Sequence, residues 1–209
     1  MNMDTLASQK IFVDIQNDLD QVYEYFDSIS KSGITADTLS YRIGKELNGR
    51  LDGVRNTMMA TLQSYLMADG MSSIQSWSAT NKNAFFDSNI SQKISWNIEE
   101  EIITFVPNTY AKSIGTAAAT VLIIVSYVEL ALSNSEIRYS IALALTTLAL
   151  LIYFKLPAWL NDFDIHRSMT NLRDLFIQEK QTLTTWAEIV INDYATEFGK
   201  IAADSGDKK

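Results

Sequence analysis

Gly115, Ala119, Leu122, Ser126 and Glu129 recur at intervals of four, three, four and three residues. On a helix this spacing puts all five on one narrow face. Only Leu122 is bulky. The others are small or polar, and the face ends in a carboxylate. Ionisable groups at the edge of an apolar segment are costly and commonly functional. Several copies of such a face around one axis would line a water path, and a ring of Glu129 carboxylates at its mouth would favour cations. The plainer role for Glu129 is to mark the end of its segment and sit among headgroups beside Arg138. A second small face, Ser140, Ala144 and Thr147, suits close helix–helix approach. The expected arrangement packs this second face against the first segment and leaves the face ending in Glu129 for other copies.

Other chemistry is sparse. The chain has no Cys and a single His, His166, which excludes thiolate chemistry and any His-rich metal site. Gly44-Lys45-Glu46-Leu47-Asn48-Gly49 lacks the Gly-Lys-Ser/Thr of a phosphate loop and lies in a helical pattern. Asn89-Ile90-Ser91 is a formal glycosylation triplet, Glu99, Glu100 and Glu101 read as a solvated helix face, and His166-Arg167 reads as an interface anchor. No nucleophile is spaced to meet a base. The expectation is a protein that is not an enzyme, with no catalytic residues, cofactor or metal. The net charge of −8, from 17 basic and 25 acidic residues, comes with no basic stripe, so nucleic acid is not an expected partner.

The elements that carry these residues are two apolar runs. Residues 113–128 (SIGTAAATVLIIVSYV) and 139–154 (YSIALALTTLALLIYF) contain no charge, and a short polar connection separates them. Each run alone is short of the roughly 20 residues that a bilayer core of about 30 Å requires. Flanking residues extend the spans to about 113–132 and 139–160, with Lys155 snorkelling to the headgroups. Tyr110, Lys155 and Trp159 are candidate interface anchors at one boundary, and Tyr127 and Tyr139 lie near the other. The competing arrangement is a hairpin buried in a soluble bundle. Residues 141–154 lack a polar stripe, and 209 residues make a small body in which to enclose two helices. Lys112, Lys155, Arg167 and Arg173 lie near the outer ends of the hairpin and only Arg138 lies in its connection, which places both termini in the cytoplasm. The expected location is the cell (inner or plasma) membrane.

The rest reads as amphipathic helix, and only two prolines and eight glycines punctuate the chain. Phe12, Ile15, Leu19, Val22, Phe26 and Ile29 form a heptad seam that Gly33 terminates. A second helix runs from about Asp37 to Asp69-Gly70 through Leu39, Ile43, Leu47, Leu51, Val54, Met58, Leu62 and Tyr65, antiparallel to the first. Residues 71–89 hold Trp77, Phe85 and Phe86 and read as a partly ordered connector, and a third helix is expected over about 89–105 through Ile90, Ile94, Ile98, Ile102 and Phe105. Pro157 should kink or end the second span, with Asn161 or Asp162 capping a long terminal helix. Its stripe is Ile165, Met169, Leu172, Phe176, Leu183, Trp186, Val190, Tyr194 and Phe198. The expected architecture is all-α: an N-terminal helical domain (1–110), a two-pass transmembrane hairpin (111–160) and a C-terminal helix (161–209).

Three functions fit this layout. The first is a homo-oligomeric ion-conducting pore in the lipid bilayer, with cytoplasmic helices for assembly or gating. The second is a membrane-anchored adaptor or scaffold whose helices bind a protein partner. The third is a pore-forming toxin or defence effector with an insertable hairpin, on architecture alone.

Overall fold

The computed structural model describes residues 6–98, 103–105, 110–131 and 136–204. Among them the chain is all-α, with no strand. The helices are α1 (Leu6–Ser30), α2 (Ala36–Ser73), α3 (Ala79–Asp87), α4 (Ile90–Lys93), α5 (Tyr110–Ala131) and α6 (Glu136–Asp204). They form two compact units. Unit one holds the described parts of 1–25, 46–103 and 174–209, and unit two those of 26–45 and 104–173.

α1 ends as its sequence requires. Lys31 N–H donates to Asp27 O at 3.2 Å, and Gly33 takes φ +79°, a left-handed conformation that a side chain disfavours. Thr35, two positions before the expected start at Asp37, then caps α2. Its Oγ1 accepts from Thr38 N–H at 3.3 Å. Asn161, read as a cap for a terminal helix, caps α2 instead: its Oδ1 accepts from Ala36 N–H at 2.8 Å. No new helix begins there, because α6 runs unbroken through Pro157. A proline inside a helix costs one hydrogen bond and crowds the preceding turn.

In unit one α1 lies antiparallel to α2. Tyr65 donates to Asp14 at 2.9 Å, and Tyr25 donates to Glu46 at 2.6 Å. α2 and α6 run parallel, since both advance by the same number of residues between the contact of Arg55 with Glu179 and that of Gly70 with Tyr194. The buried seam of α1 opens with Ile11 in place of half-buried Phe12, and continues through Ile15 and Leu19. Leu47, Leu51, Met58, Leu62 and Leu66 of α2, with Leu183, Val190 and Tyr194 of α6, complete the core. Each such apolar side chain contributes about 1.5–3 kcal/mol by leaving water.

Two expectations need correction here. The single helix over 89–105 is not formed. Asn89 sits at φ 46°, Ile94 ends α4 in extended conformation, and 95–98 and 103–105 are not helical. Asn48 supplies a reason. Its side-chain amide donates to Ile103 O at 3.1 Å and accepts from Ile103 N–H at 3.2 Å, taking both peptide groups that a helix would use. The partly ordered connector expected over 71–89 contains α3, capped by Ser78. Residues 99–102 lie outside the described residues.

Gly70, read as a helix stop, lies inside α2, which continues to Ser73. It is glycine because α6 comes close. A Cβ there would collide with the Tyr194 hydroxyl and stand 3.3 Å from Phe85 Cζ. Gly49 and Gly53 have open space around the same position. Replacing either by Ala is therefore expected to stabilise the helix by about 0.5–1 kcal/mol. Gly70→Ala is expected to destabilise by about 1–3 kcal/mol through overpacking. Adding Tyr194→Phe, which deletes the nearest atom, should recover most of that loss in thermal melts. A Gly70→Ala chain as stable as its parent would rule out this close approach.

Candidate functional site at the apolar hairpin

α5 and the first part of α6 lie in unit two. On α5, Gly115, Ala119 (2% exposed) and Ser126 are buried, and Leu122 is half-buried. Val121, Ile123, Ile124 (57%), Val125, Tyr127 and Val128 are exposed. The narrow small face thus points inward, and a wide arc of bulky apolar side chains points outward. On α6, Ala149 is buried while Leu143 (70% exposed), Leu148 and Leu150 face out. Water-exposed helices bury the large residues and expose the polar ones, as α1 does with Leu19 inside and Asp20 and Glu24 outside.

This exchanges the roles expected of the two small faces. Gly115, Ala119 and Ser126 are covered, and small residues permit a close approach on that side. Ser140, Ala144 and Thr147, expected to make that packing contact, are exposed. The side chains of Glu129 and Tyr110 lie outside the described residues, so the placement of Glu129 at a mouth or among headgroups does too. Lys155 and Trp159 are both exposed.

Three hydroxyls of the hairpin are satisfied within their own helices. Thr120 donates to Thr116 O at 2.9 Å, Ser126 to Leu122 O at 2.8 Å and Thr147 to Leu143 O at 2.8 Å. Such bonds let Ser and Thr sit in an apolar medium without a partner helix. Among the described residues no helix is long and apolar enough to cross a membrane. The side chains of 111–114, 129–130, 136–139, 141–142 and 151–154, which complete the two apolar runs, lie outside that description.

The polar centre of unit one escaped the sequence reading. Arg55 and Glu179 are both buried and form a bidentate pair, Nε to Oε1 at 2.7 Å and Nη2 to Oε2 at 3.0 Å. Asp52 accepts from the remaining Nη1 at 3.1 Å. The Glu179 bond raises the Arg55 pKa, against the effect of burial. Arg55 and Asp52 border a cavity of about 350 Å³, also lined by Asn56, Met59, Asn97 and Ile98. With its guanidinium already held by two carboxylates, Arg55 has little left to offer an anion. The arrangement fixes α2 against α6. A signal for it was present: the α6 stripe skips from Phe176 to Leu183, and Glu179 fills the vacant place, three residues after the one and four before the other.

Tyr194 is fully buried, and its hydroxyl has no hydrogen-bond partner. Burial, and then the nearby Asp69 carboxylate, push its pKa up to about 12. The neutral phenol is the favoured native form. Its contribution to stability is therefore complete below about pH 10 and is lost as pH rises through about 12. Alkaline titration should cost the protein up to roughly 3 kcal/mol through this one group. Tyr194→Phe should lack that component in denaturation series at both pH values, and an unchanged alkaline slope would refute the assignment. Among the described residues no three acidic or histidine side chains gather to hold a metal ion. No protein-family model matches the chain, and neither a curated protein nor a solved structure matches it.

Proposed function

We propose that this chain is an integral membrane protein in which α5 and the start of α6 form a two-pass hairpin. The hairpin anchors a helical body at the cytoplasmic surface, where that body acts as an adaptor or scaffold for a protein partner. The observation that carries the reading is the inside-out packing of the hairpin, with Ala119, Ser126 and Ala149 inward and Ile124, Leu143 and Leu148 outward. Lipid is the medium in which large apolar residues face the solvent and small ones face neighbouring helices. An exposed apolar surface of this extent is a liability in water. The uncharged runs at 113–128 and 139–154, the cations outside them and the self-satisfied hydroxyls support the same assignment.

A second reading, an ion-conducting homo-oligomer, draws on one specific observation. Ser140, Ala144 and Thr147 form a small face left exposed on α6, open to the same face of another copy. In that arrangement this face, and not the one containing Gly115, would meet the neighbouring subunit.

Both readings require the full chain to sediment with membranes after an alkaline wash and to float with vesicles. Recovery in the aqueous fraction would overturn both. Mass measurement in detergent then separates them. A monomer without ion flux in liposomes supports the anchor, and a closed ring that conducts supports the pore.

A further inference from the structure

We propose that Lys155, Trp159, Phe163 and Arg167 form a headgroup-binding stripe on α6. It would set the depth of the hairpin against the phosphate and ester zone of a phospholipid leaflet. This rests on the membrane reading above. The four residues recur every fourth position and all are exposed, Trp159 at 63% and Phe163 at 46%. Their two rings stack, with centroids 6.1 Å apart and planes inclined by 27°. Together they make a continuous aromatic surface with a cation one turn before it and another one turn after it.

The opposite side of the same turns is closed by the chain itself. Leu160, Asp164 and Ser168 are buried, and Asn161 is committed to the α2 N-terminus. Burial and the charge of Asp37 raise the Asp164 pKa, while Arg167 opposes them. The stripe therefore faces away from the core and begins where the second apolar run ends, at Phe154.

Charge and position select the occupant. Trp rings favour the ester zone of a bilayer, where one edge is apolar and the other wet. From Lys155 to Arg167 the helix rises about 18 Å. Flexible stems bending toward each other give both cations the reach to phosphates at the level of the rings. A protein partner would have to supply acidic groups at two heights around an apolar centre. A leaflet supplies that pattern everywhere, and in the sequence the stripe starts directly after the second charge-free run, 139–154.

The test uses the full chain in phosphatidylglycerol–phosphatidylcholine vesicles carrying nitroxides either on the headgroup or at mid-chain. The fluorescence difference between the parent and Trp159→Phe isolates Trp159 from Trp77, Trp96 and Trp186. The expected result is a blue-shifted Trp159 component, quenched more by the headgroup nitroxide than by the mid-chain one. In Lys155→Gln/Arg167→Gln that preference should diminish. Four outcomes overturn the proposal: mid-chain quenching that dominates, quenching only by aqueous iodide, protection from every quencher (a second copy covering the stripe), or an unchanged depth preference in the double variant. In the first three, continued flotation of the protein with the vesicles would leave the membrane reading standing. Failure to float would remove both.

Discussion

Glu179→Leu should cost about 3–5 kcal/mol of stability, because it strands the Arg55 guanidinium inside unit one with only Asp52 as a partner. The magnitude follows from which effect wins. Two buried charges gain from each other roughly what they lose by leaving water, so an intact pair adds little net stability. Removing one partner leaves the desolvation cost of the other uncompensated. Arg55→Met should be costly too, because it leaves the Glu179 carboxylate buried without its partner. The double variant Arg55→Met/Glu179→Leu should be neutral or more stable than the parent, by up to about 4 kcal/mol, since both positions then join the apolar stripes of α2 and α6. Urea unfolding followed by helicity, in all four chains, provides the cycle. A Glu179→Leu chain that loses less than about 1 kcal/mol would show that water reaches the guanidinium. If the single variants are costly and the double is not, the pair acts chiefly to specify the register of α2 against α6.

That pair also shows where sequence reading reaches its limit. α1, most of α2 and the last part of α6 were legible because Leu19, Leu51, Leu62, Leu172 and Val190 repeat at three and four, and every one is buried. Gly33 was legible because a helix terminus is a local event. Gly70 was not, because its reason is a hydroxyl on Tyr194, far along the chain. The isoleucines at 90, 94, 98 and 102 have a helical spacing, yet Asn48 claims the peptide of Ile103. Spacing records which face is apolar and says nothing of a distant side chain that competes for the backbone. The hairpin was legible as two charge-free runs. The choice between its two small faces was not, because Gly115, Ala119 and Ser126 resemble Ser140, Ala144 and Thr147 in size. Only the packing decides which set goes inward.

The environment of the outward face is open to a direct substitution. Ile124→Lys places an ammonium on α5 in the middle of the first apolar run, on the exposed side. Two media give opposite results. In water the change replaces an exposed apolar side chain by a charged one, so stability should move within about 0.5 kcal/mol and solubility should rise. In lipid the ammonium sits near the bilayer centre at a cost of about 2.5–3.5 kcal/mol, and membrane insertion should fall by about two orders of magnitude, roughly tenfold for each 1.4 kcal/mol. Ala119→Leu serves as the control, because Ala119 is buried and overpacking it should cost about 1–3 kcal/mol in either medium. Partition between membrane and aqueous fractions, read by quantitative blotting of wild type and both variants, distinguishes the cases. Loss of membrane association in Ile124→Lys places the bulky arc of α5 in lipid. Retained association with unchanged stability would mean that water or protein covers that arc, and the hairpin would have to hold to the membrane by some other surface.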